Sequence, residues 1–169
     1  LKPIAISELD KFKKANKIID LGDFLNKHRY DLKDGTILDL LEIFLIPHTS
    51  FFRNNRQFEA LKDKVIPECL ANMDDKNNID LRIWSAGCST GEEAYSILVS
   101  LMEYFGDHYW EITCGIMATD ISRKSLKIAS KGIYETKKID KLILQKILEY
   151  TEQKNGEKLQ FKEKVRKEA

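Results

Sequence analysis

Leu81-Arg82-Ile83-Trp84-Ser85-Ala86-Gly87-Cys88-Ser89-Thr90-Gly91-Glu92-Glu93-Ala94-Tyr95-Ser96 passes from a short apolar run through a small-residue turn into a periodic segment. Ile79 to Trp84 suits a buried strand, Ala86 to Gly91 a tight loop, and Ala94, Ile97, Leu98, Leu101 and Met102 fall on one helical face. In an open α/β sheet, the crevice at the carboxyl end of such a strand is where ligands bind, and glycines there let a backbone approach a cofactor.

The spacing narrows the kind of ligand. A dinucleotide loop needs glycines at positions one, three and six, and a phosphate loop ends in Gly-Lys-Ser/Thr. Here Gly87 and Gly91 are four apart, Ser89 stands at the middle position, and Glu92 rather than a lysine follows Gly91. Carboxylates at a helix start stabilise the helix through its dipole, but they repel a pyrophosphate. The loop suits a ligand that offers hydroxyls, an amine or a positive centre, and a nicotinamide-binding oxidoreductase is disfavoured.

Three segments together, Thr49-Ser50-Phe51-Phe52-Arg53, Trp84 to Ser96, and Ala118-Thr119-Asp120-Ile121 with Gly132-Ile133-Tyr134, resemble the pattern of the CheR-type chemoreceptor glutamate methyltransferases. The resemblance is clear over residues 38–134 and weaker on either side. It implies S-adenosylmethionine as cofactor and glutamate side chains on the cytoplasmic domain of bacterial chemoreceptors as substrate. It also implies a cytoplasmic protein with an α/β fold. A helical N-terminal segment is followed by the first half of a Rossmann-like class I methyltransferase sheet domain and the start of a small antiparallel insertion. The expected division is residues 1–48 helical, 49–136 cofactor-binding, and 137–169 a helix with the start of the β-subdomain.

By the same resemblance Thr49 and Arg53 line the cofactor site. Arg53 meets the methionine carboxylate, which a guanidinium can grip with paired hydrogen bonds. Gly87 and Glu93 belong to the loop, and Asp120 at the tip of the second strand accepts from the ribose hydroxyls. Asp120 and Ser122 also have the position and chemistry of a helix N-cap for Arg123 to Lys131. No general base is expected, because a glutamate with a reference pKa of about 4.3 is already ionised at neutral pH. Two departures from the family pattern stand out. Pro47-His48-Thr49 occupies the place of an Asn-Val-Thr triplet, and no arginine-rich helix of the kind that faces the receptor is visible near the N-terminus.

Composition fits one main core. The 169 residues are 43% apolar and 33% charged, with a net charge of +1. That balance gives no general case for nucleic acid, and no run approaches the length of a membrane span. Cys69, Cys88 and Cys114 lack metal-ligand spacing, so no metal is expected.

The flanks are predicted from periodicity. Ile6, Leu9, Phe12 and Lys13 mark one helix, Ile18 to Asn26 a second, and Leu38, Leu41, Glu42 and Leu45 give the clearest helical spacing of a third before Pro47. Phe58, Leu61, Val65 and Ile66 give a helix ending near Pro67. Ile97 to Phe105 completes the crossover helix, Gly106 ends it, and Ile112 to Thr119 is a buried strand. Lys141 to Thr151 has helical spacing, with a turn at Gln153 to Glu157 before Leu159, Phe161 and Val165. This last stretch is either the beginning of the β-subdomain, which in some members takes a receptor tail peptide by strand addition, or a solvated helix and tail. Two predicted strands leave a sheet edge open to self-association, and the chain is expected to be a fragment of a methyltransferase. The competing expectation is a non-catalytic cofactor-binding or regulatory module with the front half of the fold.

Overall fold

The computed structural model describes residues 3–29, 35–45, 49–75 and 78–168. The chain divides into two compact units, Leu1–Pro47 and His48–Ala169.

The first unit is helical: α1 (Pro3–Ala15), α2 (Leu21–His28) and α3 (Gly35–Phe44). Asp20 caps α2 by accepting a hydrogen bond from the Asp23 N–H at 2.8 Å, so one otherwise unpaired donor of the first turn is satisfied. Phe12, Ile37 and Leu40 are buried, and Phe12 meets Phe24 edge-on with ring centres 6.2 Å apart. The helix expected from the spacing of Leu38, Leu41 and Glu42 is present, and it turns Ile37 and Leu40 inward while Leu41 is exposed. Its sequence GTILDLLEIF carries apolar residues on two adjoining faces, so periodicity alone does not choose between them. The expected break at Pro47 and the position of His48 lie outside the described residues.

The second unit begins with a long interrupted helix: α4 (Asn55–Ala60), a π-helical turn (Leu61–Val65) and α5 (Ile66–Ala71). The predicted stop near Pro67 is not observed. The π turn moves the hydrogen bonding to Ile66 N–H with Leu61 C=O, and Pro67 then sits in the first turn of α5, where a missing N–H costs nothing.

Strand β1 (Asp80–Ala86) pairs in parallel with β2 (Thr113–Thr119), with Leu81 opposite Cys114, Ile83 opposite Ile116 and Ser85 opposite Ala118. Between them α6 (Glu92–Phe105) crosses over one face of the pair. Leu98, Val99 and Leu101 on that helix are completely buried, a contribution of roughly 1.5–3 kcal/mol each. Helix α7 (Arg123–Lys131) follows β2.

A second sheet is antiparallel. Its order is β3 (Ile133–Glu135), β5 (Lys158–Phe161), β4 (Thr151–Lys154), with α8 (Lys141–Ile147) before β4 and a short α9 (Glu163–Arg166) after β5. The alternative of a solvated tail is overturned by Phe161. That ring is fully buried and stacks on Tyr95 of α6 at 4.1 Å, so β5 belongs to the same core as the crossover helix. Val165 lies in α9 rather than continuing the strand, although it too is buried. Among the described residues no helix is long and apolar enough to cross a membrane.

Candidate functional site

The loop between β1 and α6 is fixed from three sides. The N–H groups of Gly87 and Cys88 both donate to the Thr119 carbonyl, at 2.8 and 2.9 Å, which joins the loop's start to the end of β2. The Ser89 N–H donates to Asp120 Oδ2 at 2.8 Å. The Tyr134 hydroxyl, reaching in from β3, donates to the Thr90 carbonyl at 2.7 Å. Gly91 then opens α6 with its N–H donating to the Cys88 carbonyl at 2.9 Å.

These bonds hold a backbone that free chains avoid. Gly87, Ser89 and Gly91 have φ of +77°, +50° and +97°, and a serine in the left-handed region persists only where its surroundings impose it. The two glycines differ in what surrounds them. A Cβ at Gly91 would lie 2.8 Å from Ala129 Cβ and 2.9 Å from Tyr134 Oη, so that position is closed by α7 and β3. A Cβ at Gly87 would meet nothing within 4 Å. The loop is thus packed behind and open in front.

Three carboxylates surround it. Asp120 uses Oδ1 for the Ser122 N–H and Oδ2 for the Ser89 N–H, both at 2.8 Å, and each oxygen keeps acceptor capacity. The cap of α7 itself is Ser122, whose hydroxyl accepts from the Ser125 N–H. Glu93 accepts from the Ser85 hydroxyl at 2.8 Å, and Glu92 from the Thr90 hydroxyl at 2.6 Å. Burial first, then the charges of Asp120, Glu93 and Glu92, push the Cys88 thiol up, so it stays protonated and is no nucleophile. Burial and then Glu92 raise the Tyr134 hydroxyl, which keeps its proton for Thr90.

The Thr49–Arg53 stretch lies beside the first turns of α6. The Phe52 N–H donates to Ser96 Oγ at 2.9 Å, and that hydroxyl in turn donates to the Glu92 carbonyl at 2.6 Å. Phe52 has φ +52°, a strained state for a bulky residue, and it is held by this bond, by Phe58 edge-on at 5.1 Å and by the Lys146 ammonium 4.0 Å above its ring. Phe51 meets Tyr134 at 4.8 Å. Thr49 lines a cavity of about 330 Å³ together with Phe51, Glu92, Tyr134 and Lys138. Arg53, in the turn that follows Phe52, is exposed.

Of the five residues expected at the site, Gly87, Glu93 and Asp120 thus lie on one loop and its supports. Thr49 reaches the same region through the cavity it shares with Glu92. Sequence reasoning gave no role to Tyr134 or Ser85, and it read Glu92 only as a carboxylate at the helix start. Ser85 could have been noticed as a small polar residue inside an apolar strand. Tyr134 gives no such sign, because its contact with Thr90 spans 44 positions. Among the described residues no group of histidines, cysteines and carboxylates is placed to hold a metal ion.

A glycine-led loop at the carboxyl end of a parallel strand, with an acidic residue at the tip of its neighbour, defines the nucleoside-binding half of a Rossmann-like domain. Carboxylates in place of a lysine fit a ligand with ribose hydroxyls and a sulfonium rather than a pyrophosphate. Residues 47–169 match the family described as CheR methyltransferase, SAM binding domain. The chain is 33% identical over 162 residues to the chemotaxis protein methyltransferase of Borreliella burgdorferi, covering 96% of this chain and 56% of that protein. It is 35% identical over 127 residues to the chemotaxis protein methyltransferase of Listeria monocytogenes, covering 75% and 44%. Against the chemotaxis protein methyltransferase Cher2 of Pseudomonas putida it is 32% identical over 132 residues, covering 77% and 47%. The chain belongs to the CheR methyltransferase family, whose cofactor is S-adenosylmethionine. It spans about half the length of these relatives.

Proposed function

We propose that this chain forms the cofactor half-site of an enzyme that transfers a methyl group from S-adenosylmethionine to glutamate carboxylates on the cytoplasmic domain of chemoreceptors. The observation that carries this reading is the strained 87–91 loop, closed behind by Asp120 and Tyr134 and open at Gly87. Its bonds are made by the protein's own groups, which supports a loop held in one shape for its ligand.

Asp120 accepts from the ribose with the lone pairs that Ser89 and Ser122 leave free. Glu93, oriented by Ser85, and Glu92 add negative charge near a positive ligand. Arg53 holds the carboxylate at the ligand's methionine end, with Thr49 beside it. Bound S-adenosylmethionine supplies a methyl carbon on a positive sulfur. The glutamate oxygen would form the new bond to that carbon, and the carbon–sulfur electron pair would stay with the sulfur, giving a methyl ester and S-adenosylhomocysteine. No proton moves, so none of this chain's residues is required as a base. What the residues contribute is alignment, an effect of roughly 7–11 kcal/mol where two reactants are held in line.

The receptor places this activity in the cytoplasm. The sheet order β3-β5-β4 leaves the outer edges of β3 and β4 without a strand neighbour among the described residues, which supports strand addition by a receptor tail peptide there. The other edge of β1 has no strand neighbour among the described residues, which supports self-association.

The test is incubation with methyl-labelled S-adenosylmethionine and a receptor cytoplasmic fragment. Label that leaves the fragment as methanol in mild alkali is expected, since carboxyl esters hydrolyse there and methylated amines do not. Alkali-stable label would refute glutamate as the acceptor. Cofactor binding without any transfer would make the chain a binding module.

A further inference from the structure

We propose that Ser85 is a positioning residue, which holds Glu93 in the orientation that reads the α-amino group of the ligand. This rests on the reading above for the identity of the ligand, and it names the residue through which one part of that ligand is recognised.

The first observation is a hydroxyl among apolar groups. Leu81, Ile83 and Ser85 alternate onto the face of β1 that packs in the core with α6, and opposite them on β2 stand Cys114, Ile116 and Ala118. Ser85 is 1% exposed. A buried hydroxyl costs free energy unless it is bonded, and an alanine at this strand position would carry no such cost. Ser85 Oγ donates its proton to Glu93 Oε1 at 2.8 Å.

The second is what that bond does to the carboxylate. Glu93 is exposed in the first turn of α6, where a free glutamate turns about three side-chain torsions. Tying Oε1 to a strand residue lowers the ordering cost that binding would otherwise carry. Among the described residues nothing else bonds Glu93, so Oε2 is open to a ligand. Its neighbour Glu92 differs, because it is half-buried and bonded to Thr90 within the loop itself.

The third is where Glu93 lies. Asp120, assigned to the ribose, is bonded to Ser89, and the turn that carries Arg53, assigned to the methionine carboxylate, is bonded through the Phe52 N–H to Ser96. Glu93 stands between these two ties, four residues after Ser89 and three before Ser96. The part of the ligand between ribose and carboxylate carries the sulfur and the α-ammonium. A sulfonium has no hydrogen to donate, whereas an ammonium has three. A carboxylate with one oxygen fixed and the other open therefore matches the ammonium. S-adenosylhomocysteine keeps that group and lacks the positive sulfur, so its binding reads the contact alone.

The test is calorimetric titration with S-adenosylhomocysteine and with its desamino analogue, in which hydrogen replaces the amino group. It runs on the parent, Ser85→Ala, Ser85→Thr, Glu93→Gln and Ser85→Ala/Glu93→Gln, with urea unfolding of each. The parent should prefer S-adenosylhomocysteine by about tenfold or more, the effect of a hydrogen bond between charged groups. Ser85→Ala should lose about fivefold or more in affinity for S-adenosylhomocysteine but less than about twofold for the analogue. Ser85→Thr, which keeps the hydroxyl, should hold both affinities within about twofold of the parent. The double variant should bind no more weakly than Glu93→Gln alone, because Ser85 acts through Glu93. Should Ser85→Ala not fold, Ser85→Cys fills the same space with a weaker donor and carries the comparison. Equal losses for the two ligands, additive losses in the double variant, or a parent that binds both ligands without preference would overturn the role given to Ser85. A folded parent that binds neither ligand would instead refute the functional reading, and this inference with it.

Discussion

Asp120 Oδ2 accepts a hydrogen bond from the Ser89 N–H at 2.8 Å and thereby ties the tip of β2 to a residue held at φ +50° in the neighbouring loop. The same carboxylate is the one assigned to the ribose. Its two roles are coupled, because the bond that shapes the loop also fixes the carboxylate's orientation.

Asp120→Ala removes bonds to two backbone donors, those of Ser89 and Ser122. A hydrogen bond to a charged group contributes about 1.5–3 kcal/mol, so stability and cofactor affinity should both fall by at least that order. Urea unfolding and calorimetry on one preparation would check this. Unchanged cofactor affinity in a folded variant would remove Asp120 from the site.

The glycines should separate packing from access. Gly91→Ala must fit a methyl group 2.8 Å from Ala129 Cβ in a left-handed backbone, and a cost of about 3 kcal/mol or more is expected. Gly87→Ala carries the backbone term alone, roughly 1–2 kcal/mol, since nothing lies within 4 Å. Its larger effect should be on ligand affinity. Thermal unfolding of the two variants would check the order.

Tyr134→Phe keeps the ring against Phe51 and removes the hydroxyl from the Thr90 carbonyl. The expected loss is about 1 kcal/mol in the unfolding free energy measured with urea, with weaker S-adenosylhomocysteine binding as the loop loosens. A tighter-binding variant would show that the bond does not shape the site.

Much of this fold was legible in the sequence, and the reasons are local. The 81–96 stretch gave strand, loop and helix because apolar run, glycine spacing and helical period change in turn there. Gly106 ended the helix at the expected residue, and Asp120 stood at the strand tip. The helix through Pro67 was not legible, because a π turn is a change of hydrogen-bond register with no compositional mark. The inward face of α3 was not legible for another reason: apolar residues on two sides leave the choice to tertiary packing. At the site, the loop's shape could be inferred from its glycines. Its supports could not, since Tyr134 and Ser85 act through contacts that spacing does not encode.

Alkaline stability offers a check on the core. Burial pushes the Tyr95 hydroxyl up from 10.0 to about 12, partly offset by Arg166. The unfolded chain therefore loses this proton first. Tyr95 contributes stability that is intact below about pH 10 and is lost as pH rises through about 12. Tyr95→Phe should be less stable at pH 8, because its bond to the Ala129 carbonyl is gone, yet should show a shallower decline from pH 10 to 12. An unchanged slope, measured by urea unfolding across that range, would contradict the assignment.

The most direct test is calorimetric titration of the 169-residue chain with S-adenosylhomocysteine, beside Arg53→Ala. Arg53 is exposed, and thermal unfolding of the variant beside the parent separates a loss of fold from a loss of binding. The account predicts binding by the parent chain and at least about a tenfold loss in the variant, the effect of losing one charge-assisted contact. A folded parent chain that binds no S-adenosylhomocysteine, or equal affinity in both proteins, would contradict it.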